Sequence, residues 1–328
     1  MPRKAFPVDE RLEQILEAAS SRPTRRAVMR GVAGVLGAMG VVALARQEDS
    51  SARRRRRRRR RNECRRASQC PTPFNPCQKA RCKNNRCRNK TLANGTICGD
   101  GLVCQNGACL CPDGVCTVQV TMSNLNGWHG FDECVCQPVE DSVLTFRTGP
   151  ATPPYGTGSV ELTAPDQEMV SLGTFQFANV FLSDITALMY STFNEGPEPT
   201  VGILTFGIDF FGSNPTFSMD SLVFDPAANG QTIVQDTWHE WDAINGGAAL
   251  WYYNGGGFDW PNTNPPIPDT DPLSWAQIVA TYPEARIRVN DSQFLITTFG
   301  DGAPFTEAIN SVTFGTTSGT TRFVFGPA

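Results

Sequence analysis

The chain has 328 residues, with 29 Lys and Arg against 32 Asp and Glu, and 12 cysteines. The length accommodates one large domain or two smaller ones, and the absence of a Walker loop, a GxGxxG motif after a strand and an HExxH motif argues against the common nucleotide-binding and zinc-protease classes. Charge is strongly divided: residues 1–114 carry 25 basic and 9 acidic side chains, whereas residues 115–328 carry 4 basic and 23 acidic ones. The two halves therefore need separate explanations.

Residues 1–45 have the organisation of an export signal. Arg25 and Arg26 form a pair that resembles the bacterial twin-arginine motif, and an uncharged apolar stretch of 15 residues follows at 31–45. A membrane-spanning helix needs roughly 20 residues, and the Ala-Leu-Ala at 43–45 fits a small-x-small cleavage pattern. We expect cleavage after Ala45, with an uncleaved signal anchor as the alternative. The protein is then secreted or associated with the cell envelope.

The next segment, residues 46–62, is predicted to be a disordered linker. It contains nine consecutive arginines at 53–61, whose mutual repulsion keeps the chain extended. Arginine binds phosphate in a bidentate manner, so we expect the run to tether the protein to anionic cell-wall polymers or lipid head groups. The alternative is a solvated linker without a partner. No aromatic residue interleaves the run, so a specific nucleic-acid partner is not expected.

Residues 63–114 are predicted to form a small disulfide-rich module. An even number of cysteines behind an export signal favours disulfides, and zinc is disfavoured because no Cys-x2-Cys occurs and His129 is the only histidine nearby. Asn-Gly and Asp-Gly pairs between the cysteines predict turns. The pattern resembles the small cysteine-rich repeats of secreted proteins, which implies a role in protein binding or spacing. The twelve cysteines are Cys64, Cys70, Cys77, Cys82, Cys87, Cys98, Cys104, Cys109, Cys111, Cys116, Cys134 and Cys136.

Two pairings leave none of these thiols free. In the first, the ten cysteines up to Cys116 pair among themselves and Cys134 pairs with Cys136. In the second, Cys134 and Cys136 reach back to two upstream cysteines and cross-link the module to the following domain. We favour the second pairing, because it closes longer loops and therefore stabilises more.

Residues 115–328 alternate between apolar and polar residues with a period of two, which predicts antiparallel strands. About a dozen strands over this length suit a two-sheet β-sandwich or jelly roll, so the predicted fold is mainly β. One helix is expected, capped by Asp271, with Pro272 at its first position and Pro283 after its end. The predicted strands include 118–120, 143–146, 160–162, 171–177, 185–191, 204–210, 221–224, 231–238, 248–253, 287–289, 294–299, 309–314 and 320–325.

Four phrases of this half resemble a domain of uncharacterised secreted bacterial proteins. They lie at 146–159 (FRTGPATPPYGTGS), 184–188 (DITAL), 238–243 (WHEWDA) and 315–321 (GTTSGTT). The resemblance covers most of 117–325 and implies a β-sandwich without an established activity. In architecture such a domain is similar to lectin-like and carbohydrate-binding jelly rolls.

Glu240 and Asp242 form the best candidate for a catalytic acid pair. Retaining glycosidases on jelly rolls need two carboxylates about 5 Å apart, and these two residues occupy i and i+2 of one predicted strand. A solvated strand edge explains them equally simply in a domain with 23 carboxylates, and we favour that explanation.

The loop region after residue 248 carries the candidates for ligand binding. Alternation buries Trp251 and Tyr253, which leaves the aromatic rings of Tyr252, Phe258 and Trp260 as candidates to stack on a sugar or a partner. The alternative, which we favour, is that these rings cover the end of the sheet as part of the core. No cofactor is required by the sequence. The carboxylates of Asp259, Asp269 and Asp271 are the candidates for a calcium site, with an acidic solvated loop as the alternative.

Together these features predict a secreted, non-catalytic protein that binds or scaffolds the cell envelope and has a glycan as a candidate ligand. Two alternatives remain open. One is a secreted carbohydrate-active enzyme, and the other is a cysteine-rich interaction or inhibitor protein carried by the sandwich.

Overall fold

The computed structural model describes residues 64–99, 101–132, 143–165, 169–195, 201–211, 221–245, 249–254, 272–288, 294–299 and 304–327. The predicted signal, the arginine run, Cys134 and Cys136 lie outside these residues. None of the helices in the described residues has the length and apolar character that a membrane crossing requires.

The described residues form two compact units. The hairpin unit contains Lys79–Lys90 together with the described residues up to Pro73. The sandwich unit contains Phe74–Gln78 and the described residues from Thr91 onward. Compactness therefore groups residues 91–116 with the sandwich sheets.

The hairpin unit is built on a two-stranded sheet of β1 (Gln78–Lys83) and β2 (Arg86–Thr91). A short 3₁₀ helix at Ala67–Gln69 precedes it. Two disulfides, Cys64–Cys82 and Cys70–Cys87, attach the preceding segment to one strand each.

A small three-stranded sheet opens the sandwich unit. Its strands are β3 (Ile97–Gly99), β4 (Leu102–Gln105) and β5 (Ala108–Leu110), in that order. Three disulfides hold this region together, and they are Cys77–Cys104, Cys98–Cys109 and Cys111–Cys116.

Two larger, mainly antiparallel sheets follow, and they confirm the predicted mainly β fold with a disulfide-rich N-terminal region. In β9, for example, Val160, Leu162 and Ala164 are buried while Thr163 is exposed, as period-two alternation requires. The elements are β6 (Val115–Val120), β7 (Trp128–Asp132), β8 (Leu144–Thr148), β9 (Gly158–Ala164), β10 (Met169–Thr174), β11 (Ile185–Asn194), β12 (Ile203–Asp209), β13 (Ser221–Phe224), β14 (Trp238–Asp242), β15 (Leu250–Asn254), β16 (Leu273–Ser274), α1 (Trp275–Thr281), β17 (Arg286–Ile287), β18 (Phe294–Phe299), β19 (Phe305–Thr316) and β20 (Gly319–Phe325).

One sheet has the strand order β16-β15-β13-β12-β18-β10-β7, with β17 beside β12. The other runs β14-β11-β19-β20-β6. In this second sheet the long strand β19 changes partner along one side: its first half pairs with β9, which pairs with β8, and its second half pairs with β20. A bulge opposite Ser191 and Thr192 marks the change and leaves Asn310 outside the ladder.

The core between the sheets is unusually aromatic around Trp128. Its ring makes edge contacts with Phe294 of one sheet and with Phe323 and Phe325 of the other, at centroid distances of 5.2–6.2 Å. Such edge-to-face pairs add to the free energy gained by burying the rings.

The disulfide-linked sheet shares this core. Leu102, Leu110 and the buried cysteines belong to the same apolar cluster as the sandwich. The backbone N–H of Cys111 donates to Thr321 Oγ1 at 3.1 Å, and β6, which follows directly, pairs in parallel with β20.

The preferred disulfide pairing is therefore wrong. All ten cysteines of Cys64–Cys116 pair among themselves, so none remains for Cys134 or Cys136. Residues 91–116 are instead joined to the sandwich sheets by hydrogen bonds and shared apolar burial.

Two further expectations need correction. The helix is capped by Ser274, not Asp271, through a capping box with Gln277, because Leu273 and Ser274 first pair with β15 as β16. The strand predicted at 231–238 begins only at Trp238, since Asp236 has a φ of +56°, which extended strands do not tolerate. Asp271 itself lies outside the described residues.

The pairing predicts the result of peptide mapping. After non-reducing proteolysis, a peptide that contains Cys134 and Cys136 should carry no cysteine from Cys64–Cys116, because all ten are already cross-linked. Mass spectrometry before and after reduction checks this. A mixed peptide joining either residue to the upstream segment would contradict the pairing.

Candidate functional site

Glu240 lies on the edge strand β14, opposite Ser191 of β11. Its Oε1 accepts a hydrogen bond of 2.8 Å from the hydroxyl of Tyr155. Partial burial, with the neighbouring Glu240 carboxylate, raises the pKa of Tyr155. The carboxylate therefore has a specific structural partner.

Tyr155 is itself fixed on the outer side of this sheet. Its backbone N–H donates to Asn310 Oδ1, and its carbonyl accepts from Asn310 Nδ2. The guanidinium of Arg322 lies 4.0 Å from the centre of the Tyr155 ring, a cation–π distance. The bulge residue Asn310 thus attaches the 149–158 loop to the sheet.

The four sequence phrases that resemble the secreted bacterial domain contact one another in two pairs. Tyr155 of the first phrase contacts Glu240 of the third. The backbone N–H of Thr317, in the fourth, donates to the carbonyl of Asp184, in the second. These contacts give the phrases a structural role in closing loops onto the sheet.

Asp242 also has a structural role. Its Oδ1 accepts from the backbone N–H groups of Ile244 and Asn245 at 3.0 and 2.8 Å, which forms an Asx turn at the end of β14. Both carboxylates of the predicted acid pair therefore accept hydrogen bonds from loop residues at the edge of the sheet.

Of the predicted aromatic ligand-binding residues, only Tyr252 is described. It is half-buried on β15, and its hydroxyl donates to the carbonyl of Ala228 at 3.3 Å. Its neighbours Trp251 and Tyr253 are buried, as alternation predicts. The remaining candidates, Phe258, Asp259, Trp260, Asp269 and Asp271, lie outside the described residues.

In each of two groups of cysteines, the three sulfur atoms lie within 4.8 Å of one another. One comprises Cys64, Cys70 and Cys87, and the other comprises Cys77, Cys98 and Cys109. Every one of these sulfurs is in a disulfide, so the groups are pairs of adjacent cross-links.

A buried polar cluster that the sequence analysis missed lies around Glu307 of β19. Its side chain is 0% exposed. Oε1 accepts from the backbone N–H of Gly202 and Oε2 accepts from Thr298 Oγ1, both at 2.8 Å. A Cβ on Gly202 would lie 2.6 Å from Oε2, so a side chain at this position would displace the Glu307 carboxyl group.

Burial raises the pKa of Glu307 to about 7, although hydrogen bonds from Gly202, Thr298 and Thr192 oppose the shift. A carboxyl with a pKa near neutrality would suit a general acid, but full burial denies this one a substrate. The cluster instead has a structural role, because its hydrogen bonds join the two sheets. Its sequence signal was the position of Glu307 between Phe305 and Ile309 on the inward face of one strand.

The hairpin unit carries a second feature that sequence reasoning missed. Asn84 and Asn85 have φ values of +54° and +59°, which a two-residue type I′ hairpin turn requires. Such a turn closes on Lys83 and Arg86, so alternate residues of both strands share one face. That face, here called the cationic face, is formed by Lys79, Arg81, Lys83, Arg86, Arg88 and Lys90.

All six cationic side chains are exposed, whereas Cys82 and Cys87 on the other face are half-buried in their disulfides. Residues 64–99 contain 8 basic and no acidic side chains. Within the described part of the chain, none of the six forms an ion pair. The signal was the strict alternation of Lys or Arg on both sides of the Asn-Asn turn.

The four arginines of residues 115–328 are used differently. Arg147 pairs with Glu161 at 2.9 Å and with Glu195. Arg286 pairs with the buried Asp209. Arg288 is buried and Arg322 stacks on Tyr155. The sandwich unit thus uses its few cations for its own structure.

Comparisons with protein-family models, curated proteins and solved structures found no match to the chain in any of the three.

The Tyr155–Glu240 contact predicts a coupled loss of stability. Tyr155→Phe and Glu240→Gln should each lower the free energy of unfolding by about 0.5–1.5 kcal/mol, because each weakens the same hydrogen bond. The double variant should lose less than the sum. Urea unfolding of the four proteins measures this. Tyr155→Phe combined with Asp242→Asn, compared with each of these single variants, is the control and should be additive. Unchanged stability in Glu240→Gln would contradict the structural role.

Glu307 predicts a pH dependence of stability. Its pKa is raised from 4.5 to about 7 in the folded state, so between these values the folded protein holds a proton that the unfolded chain has released. The free energy of unfolding should therefore fall as pH rises through this window, by roughly 3 kcal/mol in total.

Unfolding curves of the wild type and Glu307→Gln, measured from pH 4.5 to 8, check this. The variant should lack that part of the slope. The surface variant Glu240→Gln is the control and should keep it. Parallel pH profiles for the wild type and Glu307→Gln would contradict the shift.

Proposed function

We propose that this protein is a secreted, non-catalytic protein that binds or scaffolds the cell envelope and is held there by its basic N-terminal segment. The twin-arginine-like signal would deliver it outside the cytoplasm, an environment in which structural disulfides persist. The arginine run at 53–61 would then contact the anionic polymers or lipid head groups of the envelope.

The observation that best supports this proposal is the cationic face of the hairpin unit. It follows the arginine run along the chain and presents six exposed positive charges on an ordered sheet. Positive charge therefore continues from the predicted linker into a folded element. Such an arrangement is suited to polyanions, because like charges on neighbouring strands destabilise the protein unless a counter-charge is present.

The enzyme alternative has weaker support. Glu240 accepts from Tyr155, and Asp242 closes a turn, so each carboxylate has a structural explanation. The glycan-binding form of the proposal depends on Phe258 and Trp260, which lie outside the described residues, and Tyr252 already bonds to Ala228. A sugar ligand for the sandwich therefore remains a subordinate part of the proposal.

The tether predicts salt-sensitive retention. Replacing the nine arginines at 53–61 with glutamine should let the protein elute from isolated envelopes at lower NaCl concentration, because exposed charge contacts are screened by salt. Replacement with nine lysines keeps the charge and is the matched control, which should elute close to the wild type. Elution is followed by immunoblot across a salt gradient. Retention that is independent of both salt and the glutamine replacement would contradict a charge tether.

A further inference from the structure

The cationic face lies on an ordered two-stranded sheet. The I′ turn at Asn84 and Asn85 fixes the pairing of the two strands. The disulfides Cys64–Cys82 and Cys70–Cys87 attach the opposite face to the preceding segment. The backbone positions of the six cationic residues are thus fixed, so a ligand need not pay the entropy of ordering the backbone.

The spacing has a clear period. Successive cations on one strand are two residues apart, which is about 6.7 Å. Cations on the neighbouring strand lie opposite them, at about 5 Å. The face therefore consists of three ranks of two positive charges, with Arg81 and Arg88 forming the central rank.

We propose that this face is a binding site for a linear phosphodiester polymer of the glycerol-phosphate type. Two residues of an extended strand and one glycerol-phosphate repeat contain the same number of backbone bonds, so consecutive phosphates match consecutive ranks. Each arginine presents a fork of N–H donors that binds a phosphate through two hydrogen bonds. The inference rests on the proposed envelope function, which would bring such a polymer to the protein.

The described residues of the hairpin unit favour this ligand over nucleic acid. Nucleic acid has a backbone of similar repeat, but proteins that bind single strands stack the bases on aromatic rings. Residues 64–73 and 79–90 contain no Phe, Tyr, Trp or His. The face also offers no large apolar side chain that would insert between lipids, so a polymer is favoured over a bilayer surface.

The test compares two variants of equal net charge in the purified, oxidised protein. In the first, Arg81, Lys83, Arg86 and Arg88 are replaced by glutamine. In the matched control, the four arginines at 53–56 are replaced by glutamine. Affinity for poly(glycerol phosphate) of defined length is measured by titration calorimetry over a range of NaCl concentrations. Disulfide mapping and urea unfolding verify that both variants are folded.

We expect the hairpin variant to bind at least about 10-fold more weakly at low salt. The slope of log K against log[NaCl] should become less steep by about 3, as the loss of four phosphate contacts requires. The control should lose clearly less affinity. A third variant, R81K/R86K/R88K, keeps the charge but lacks the forked donor, and should bind about 3-fold more weakly.

An equal loss in the hairpin variant and the control would overturn the site, because charge alone would then explain binding. Polyglutamate of equal charge that binds as tightly would overturn the phosphodiester assignment. Tighter binding of oligo(dT), or of phosphatidylglycerol vesicles, would overturn the choice of polymer. If envelopes retain the hairpin variant and the wild type equally at every salt concentration, this inference fails while the proposed envelope function stands. If the polymer binds but envelopes do not retain the protein, the envelope function fails.

Discussion

A segment with few large apolar residues cannot hold its shape by burial alone, and the pairing of ten cysteines between Cys64 and Cys116 answers this constraint. Two cross-links shape the hairpin unit and three shape the start of the sandwich unit. In the sandwich unit the cross-links pack into the same apolar cluster as the sheets, with Cys98 and Cys116 partly buried. The disulfide-linked sheet is therefore part of a larger core and does not need one of its own.

The division of charge along the chain takes a definite form in each unit. In the hairpin unit the cations occupy one exposed face, opposite the disulfides. In the sandwich unit the few arginines are tied to carboxylates, to Tyr155 or to buried positions. Stability in the hairpin unit comes from covalent links, so its charged side chains are available for a ligand.

Several residues that suggested chemistry hold the sandwich together. Glu240 and Asp242 bind loops at the edge strand. Glu307 joins Gly202 and Thr298 in the interior and is closed to solvent. A carboxylate that accepts from specific donors is stabilised in that place, and the same donors make it less available to a substrate. These three carboxyl groups therefore have a structural explanation.

Local patterns were enough to predict the mainly β fold, the burial of Trp251 and Tyr253, and the end of the helix before Pro283, because side-chain alternation and proline geometry act over a few residues. They did not predict the helix start at Ser274, which depends on β16 pairing with a distant strand. Nor did they predict the disulfide partners, the contact of Tyr155 with Glu240, or the buried position of Glu307. Each of these joins residues far apart in the chain, and their proximity exists only after the sheets have formed. The cationic face lies between these cases: its alternation was visible in the sequence, but the turn at Asn84 and Asn85 placed all six charges on one side.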